Sequence, residues 1–174
     1  MLLKNIKASF WVEKKPNLNK IECVTKHSLY LYRLHGLVFT IYKHKQDQIN
    51  VTGIDSIKQL RMCPSLIKLK FDTSVYRFKI DSMMFSEKNQ LKIDIVGVIQ
   101  FLNKKYKNIF RTSFTNELFP ALFIKPTTIF KKEGPPTIIL FSSGSFVLIG
   151  AKNMKIVKKI HVLLNFIKAV YMIK

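Results

Sequence analysis

The chain has 174 residues, 48% of them apolar, and Lys plus Arg outnumber Asp plus Glu by 30 to 10, a formal charge of +20. That length is enough for a domain with its own core, and the apolar content excludes a disordered chain. The positive field draws polyanions, which puts nucleic acid first among partner classes and an anionic membrane surface second.

In chain order, residues 2–12 alternate and predict a strand, ended by the charged EKKP at 13–16. Asn17 is placed to cap a short helix over 17–27. LYLYRL, LVFTIY and QINVTGI are β-rich runs separated by HG and KHKQD, which predicts a meander. DSIKQLRMC at 55–63 predicts a short helix capped by Asp55 or Ser56 and stopped by Pro64. LIKLKF and VYRFKI, within 66–80, alternate apolar with basic residues at period two and predict strands. A helix is predicted within 89–106, with Leu91, Ile95, Val98, Ile99 and Leu102 on one face. IFRTSF and ALFIKPTTIF predict two more strands.

At 140–153 the sequence reads LFSSGSFVLIGAKN. A β run ends at Phe141, Ser142-Ser143-Gly144 turns the chain, and Phe146 to Ile149 is apolar again before Gly150. The last twenty or so residues predict a helix with an apolar stripe of Ile156, Ile160, Leu163, Ile167 and Val170. INVTGI and FVLIGA close two similar runs of strands, each followed by a helix, which suggests an internal duplication.

Cys23 and Cys63 lack metal-ligand spacing and read as two buried thiols. Lys4 and Lys7 interrupt the first residues too early for a secretory signal, and no apolar run is long enough to span a bilayer, so a soluble intracellular protein is expected. No Walker loop, HExxH or GxSxG occurs, and His27, His35, His44 and His161 are scattered. Neither an enzyme nor a metal or cofactor is expected.

ELFPALF at 117–123, IILFSSGSFVLIGAK at 138–152 and FKIDSMMFSEKNQLKIDIVGVI at 78–99 together resemble the second repeat of the TATA-binding protein (TBP) family. An insertion lies around TTIFKKEGPP. LLKNIKASF and INVTGI resemble the first repeat, in a shortened form. The resemblance implies an α+β fold, a TBP-like saddle of two pseudo-symmetric repeats, over residues 1–65 and 66–174. Each repeat is a curved antiparallel sheet backed by helices. The divergence and the AT-rich coding pattern resemble those of a large DNA virus or another fast-evolving genome. The implied site of action is the nucleus or a viral transcription site in the cytoplasm.

The implied function is to bind and bend AT-rich promoter DNA through the minor groove and to recruit an IIB-like factor or RNA polymerase subunits. A protein-interaction scaffold that keeps the fold without bending DNA is the alternative. Minor-groove binding with apolar wedges is the mechanism for which TBP serves as the standard illustration. The family's wedge positions fall on Phe119 and Phe141 in the second repeat. In the first, Tyr42 matches Phe141, with Leu29 or Leu31 as the partner. Asn5 keeps a family Asn and Ser82 replaces its counterpart. Thr52 keeps a family Thr, whose counterpart is Ile149. Val51, Leu122, Val147 and Leu148 fit an apolar floor, and Lys79, Lys125, Lys152 and Ser145 are phosphate-contact positions. Glu117 and Leu118 match the segment that receives the IIB-type factor.

Overall fold

The computed structural model describes residues 1–19, 21–115, 119–127 and 134–173, without the side chains of Thr115 and Phe119. Among these residues the elements are β1 (Leu2–Val12), β2 (Val24–Lys26), β3 (Leu29–Leu34), β4 (Leu37–Tyr42), β5 (Lys45–Ile54), α1 (Ile57–Phe71), β6 (Val75–Glu87), α2 (Ile95–Lys105), β7 (Phe110–Thr115), β8 (Phe119–Pro126), β9 (Thr137–Phe141), β10 (Phe146–Ala151) and α3 (Met154–Tyr171). The architecture is α+β, with antiparallel strand pairing. The chain divides into two compact units, Leu3–Ser82 and Met1–Leu2 with Met83–Lys174. The division falls inside β6. A boundary at residue 65, as the sequence suggests, would cut α1 in two.

In the first unit the strands lie in the order β2-β3-β4-β5-β1. Strand alternation puts Ile6, Ala8, Phe10, Phe39, Ile41, Ile49 and Val51 on one face, all essentially without exposure. Helix α1 covers this face with Leu60, Cys63, Ile67 and Phe71. The Phe71 ring lies 5.5 Å from that of Phe39. His35 and Gly36 both take positive φ, 47° and 79°, as a two-residue hairpin turn between twisted strands requires.

Two sequence expectations fail here for local reasons. The helix expected at 17–27 is absent among the described residues. Asn17 Oδ1 accepts from the Asn19 amide at 3.1 Å, a local turn that competes with helix formation. Val24–Lys26 then pair with Leu29–Leu31 as β2. Conversely, α1 does not stop at Pro64 but continues to Phe71, through the predicted strand LIKLKF. A proline inside a helix costs about 3 kcal/mol. Burying Ile67 and Phe71, each worth about 1.5–3 kcal/mol, offsets it. Leu69, apolar in the alternating pattern, is left 74% exposed. Ser56 Oγ accepts from the Gln59 amide at the start of α1, and Asp72 ends it with φ 53°.

In the second unit the order is β6-β10-β9-β8-β7. Phe146, Leu148, Ile138, Leu140, Leu122 and Ile124 are fully buried. Ile156, Ile160, Leu164 and Ile167 of α3 are buried with them. Leu163 is only half-buried and Val170 is exposed, because the stripe drifts around a helix of this length. Asp94 and Asn153 cap α2 and α3 by accepting from the Gly97 and Ile156 amides. Leu91 stands before α2 rather than in it. Strand β8 ends at Pro126; the rest of the run expected to 130 lies, beyond Thr127, outside the described residues.

Lys168 of α3 is buried, paired with Glu87 and placed over the Phe146 ring at 5.1 Å. The Met1 amine lies 2.9 Å from the other Glu87 oxygen. Hydrogen bonding from Lys168, then from that amine, holds the Glu87 carboxyl down to about 2.

The two units share one strand order: β1 pairs with β5 as β6 pairs with β10, and β4 with β5 as β9 with β10. Each closing strand carries a bulge at a glycine of positive φ, Gly53 at 85° and Gly150 at 86°.

Candidate nucleic-acid interface

The first unit turns one sheet face to α1 and the second turns one to α2 and α3, and among the described residues no helix covers the other face of either unit. The cross-strand register equates positions in the two open faces. Thr52 pairs with Val38 as Ile149 pairs with Thr137, so Thr52 and Ile149 correspond. Counting from there, Asn50 corresponds to Val147, Thr40 to Ile139, and Tyr42 to Phe141. Asn5 and Ser82 directly precede Ile6 and Met83, which pair with Ile54 and Ala151 beside the two bulges.

The open face of the second unit is apolar. Val147, Ile139, Phe123 and Phe141 are half-buried, and Ile149 is 39% exposed. Beside them Lys125 is exposed opposite Arg111, also exposed. The corresponding face of the first unit is more polar. Thr40, Thr52 and Asn50 are half-buried, Lys7 is exposed, and Arg77 lies over the Trp11 ring at 5.1 Å.

Asn5 Oδ1 accepts from the Gly53 amide at 2.9 Å, which fastens the bulge and leaves the side-chain NH2 as its donor group. Ser82 is half-buried at the end of the first unit, and Lys79 is exposed in the same strand. Lys152 is half-buried just after β10. Tyr42 is half-buried opposite Leu29, with its ring 5.6 Å from His44.

Five sequence assignments change. Val51, Leu122 and Leu148 are fully buried on the helix-bearing faces, so they supply core rather than floor. Ser145 Oγ donates to Asn89 O and accepts from the Asn89 amide, both at 2.9 Å. Its one proton ties the turn to the chain before α2 and does not serve a phosphate. Leu29 and Leu31 correspond to Ala121 and Phe123, because Leu29 pairs with Tyr42 as Ala121 pairs with Phe141. The position equivalent to Phe119 is His27, an exposed turn residue. The Phe119 backbone stands at the start of β8, and Glu117 and Leu118 lie outside the described residues.

One group escaped the sequence reading. Ser9 Oγ lies 2.7 Å from Asn50 Oδ1 and 2.6 Å from Asp81 Oδ2, and Gln48 Nε2 donates to Asn50 Oδ1 at 2.9 Å. Its trace was the alternation of Gln48, Asn50 and Thr52 with Ile49 and Val51, which points three polar side chains at one face.

Cys23 and Cys63 are both unpaired, the first half-buried and the second buried. Among the described residues no group of three or more His, Cys, Asp or Glu side chains converges as a metal site. None of the described helices is long and apolar enough to cross a membrane.

No model of a known protein family matches this chain, and no curated protein matches it in sequence. Among solved structures, the TBP of Methanococcus jannaschii matches with a TM-score of 0.70 and 17% sequence identity, over 97% of this chain and 98% of that one. At that identity the likeness establishes the fold: this chain has the α+β fold of a TBP.

Proposed function

We propose that this protein is a TBP-like transcription initiation factor built from two repeats. It binds AT-rich DNA through the minor groove, bends it, and recruits general transcription factors or RNA polymerase in the nucleus or at a viral transcription site. The observation that carries the reading is the open face of the second unit, where Val147, Ile139, Ile149, Phe123 and Phe141 form an apolar surface beside Lys125 and Arg111. An A·T pair shows only acceptors in the minor groove, whereas a G·C pair adds the guanine amine. A surface of methyl groups and rings accepts the first and clashes with the second. The formal charge of +20 supplies the phosphate attraction. The shared register of the two units supports a repeat, and the fold shared with an archaeal TBP supports the class.

The side chains read as DNA-contacting are Asn5, Thr52, Tyr42, Lys79, Ser82, Phe119, Lys125, Phe141, Val147, Ile149 and Lys152. Glu117 and Leu118 are the proposed partner-binding pair.

Gel shifts with AT-rich and GC-rich duplexes of equal length, over a salt series, test the reading. AT-rich duplex is expected to bind at least tenfold tighter, with affinity falling steeply as salt rises. Equal affinity for both duplexes, or affinity flat with salt, overturns it.

The scaffold reading has an observation of its own. On the helical side of the second unit a cleft of about 450 Å³ is lined by Phe101, Tyr106, Phe110, Ile160, Leu163 and Phe166. The two helices beside it carry six lysines and no acidic residue. A protein that binds transcription factors while leaving AT-rich duplexes straight satisfies this reading instead.

A further inference from the structure

On the helical side of the second unit, α3 presents one stripe to solvent: Lys155, Lys159, Val162 and Phe166, at helical spacing. Its first half is basic and its second half apolar. Val162 is 70% exposed and Phe166 45%. The Phe166 ring lies 5.6 Å from that of Phe101 and so leads into the cleft of about 450 Å³, which Tyr106, Phe110 and Leu163 also line. A recess of that size, opening onto an exposed apolar stripe, is shaped to take an apolar side chain from outside.

The rim decides the chemistry of the occupant. Lys105 and Lys159 border the cleft. The Lys105 ammonium stands 5.9 Å from the centre of the Phe101 ring and 5.8 Å from that of Tyr106, which holds it at the edge of the recess. Lys104, Lys155 and Lys158 are exposed on the same two helices. Among the described residues none of these five ammonium groups has an ion-pair partner. Three of the lysines occupy the first two turns of α3, where the helix end is already positive and no acidic residue balances it. Carboxylates brought to this end would relieve the repulsion, and α3 itself supplies none.

A second copy of this chain is the wrong occupant. Neither α1, α2 nor α3 contains an Asp or Glu, and two chains of charge +20 repel each other. A nucleic acid brings the charge, but the cleft walls are mainly carbon. A base seated among them would leave its polar edges unpaired.

We propose that the cleft between α2 and α3 is a docking site for an acidic amphipathic helix of a partner protein. Apolar anchors one helical turn apart pack on Val162 and Phe166 and enter the ring-lined recess, and Asp and Glu side chains meet Lys105, Lys155 and Lys159. The inference rests on the recruiting part of the reading above, for which it names the partner's chemistry, and does not depend on DNA bending.

The probes are fluorescently labelled helical peptides, read by anisotropy against the full chain at physiological salt. The first is built of Glu, Gln and Ala with Leu and Phe one turn apart, the second has both anchors replaced by Ala, and the third keeps the anchors with Lys in place of Glu. The first is expected to bind at least about tenfold tighter than either control. Val162→Glu, at an exposed position, is expected to weaken it by about tenfold and to leave affinity for AT-rich duplex within about twofold. Lys105→Glu with Lys159→Glu, both exposed, should weaken it by at least about fivefold, and this variant decides should a melt show Val162→Glu unfolded. Equal binding of the anchored and anchorless acidic peptides, or an affinity unchanged in the folded variants, overturns the proposal. So does single-stranded DNA that displaces the anchored peptide and itself loses affinity on Val162→Glu, which assigns the face to nucleic acid. Failure of the DNA reading shows itself separately, as equal binding of AT-rich and GC-rich duplexes with peptide binding intact.

Discussion

Asn5 Oδ1 and the amide of Gly53 meet at 2.9 Å, across 48 positions of chain. The bond ties the first strand of its unit to the bulge in the closing strand and sets the orientation of the Asn5 amide. With Oδ1 committed, only the NH2 group remains to address an acceptor on a base edge. Asn5→Asp keeps an oxygen for the Gly53 amide and loses the donor. The expected outcome is a melting temperature close to wild type with at least a tenfold loss of affinity for AT-rich duplex. Asn5→Ala loses the tether as well, at about 1 kcal/mol of stability. Paired melts and gel shifts on both variants check it; an Asp variant that binds like wild type removes Asn5 from the interface.

The two bulge glycines share a backbone conformation but not their surroundings. A Cβ on Gly53 would stand 2.3 Å from the Gly36 carbonyl oxygen, whereas on Gly150 the nearest atom would be Pro136 Cα at 3.7 Å. Left-handed backbone costs a non-glycine residue about 1–2 kcal/mol, the whole penalty expected for Gly150→Ala. At Gly53 a neighbouring turn must also move, which brings the total to about 2–5 kcal/mol. Urea denaturation of the two variants measures the difference, and equal losses contradict the close approach.

Glu87 gives stability a pH dependence of known sign. Its folded value of about 2 lies below the ordinary 4.5, so its contribution is fully present above the ordinary value and is lost as pH falls towards 2. Glu87→Gln leaves Lys168 buried without its carboxylate and is expected to cost about 3 kcal/mol at neutral pH. The gap between wild type and variant should close between pH 4.5 and 2. Melts across that range test it; a gap independent of pH assigns the loss to packing.

How much of this was legible in the sequence depends on whether a feature is local. The hairpin around Gly144 could be read because Phe141, the serines and the glycine are adjacent. So could the stripes Ile156–Ile160–Ile167 and Ile95–Val98–Leu102. The start of helix α1 could be read too, with its Ser56 cap, but its continuation past Pro64 could not, because LIKLKF also fits the period of a strand and the Phe39 ring that Phe71 packs against lies far off in the chain. Among site residues, Val51 and Leu122 look like any apolar strand residue until the register shows which face they share. The polar cluster joins Ser9, Gln48, Asn50 and Asp81 from three strands, and no single stretch contains it. Ser145 was misread for the same reason: its partner, Asn89, is 56 positions away.

Phe141 and Tyr42 occupy corresponding positions at the ends of β9 and β4, and both are half-buried. A wedge unstacks a base step at a cost of a few kcal/mol, which the contacts of bent DNA offset. Phe141→Ala is therefore expected to reduce bending, read by energy transfer between duplex ends, more than it reduces association at low salt, where lysine–phosphate attraction persists. Tyr42→Ala should reduce bending less. Its hydroxyl needs a partner that a base step does not provide, and the position matching Phe119 beside it is the turn residue His27. Truncating a fully buried Phe costs about 3–5 kcal/mol of stability, and a half-buried ring less. Phe141→Ala should thus stay folded at room temperature, as a melt can establish. If it unfolds, the ring is core; if it remains folded and bends DNA like wild type, the second unit does not wedge the minor groove.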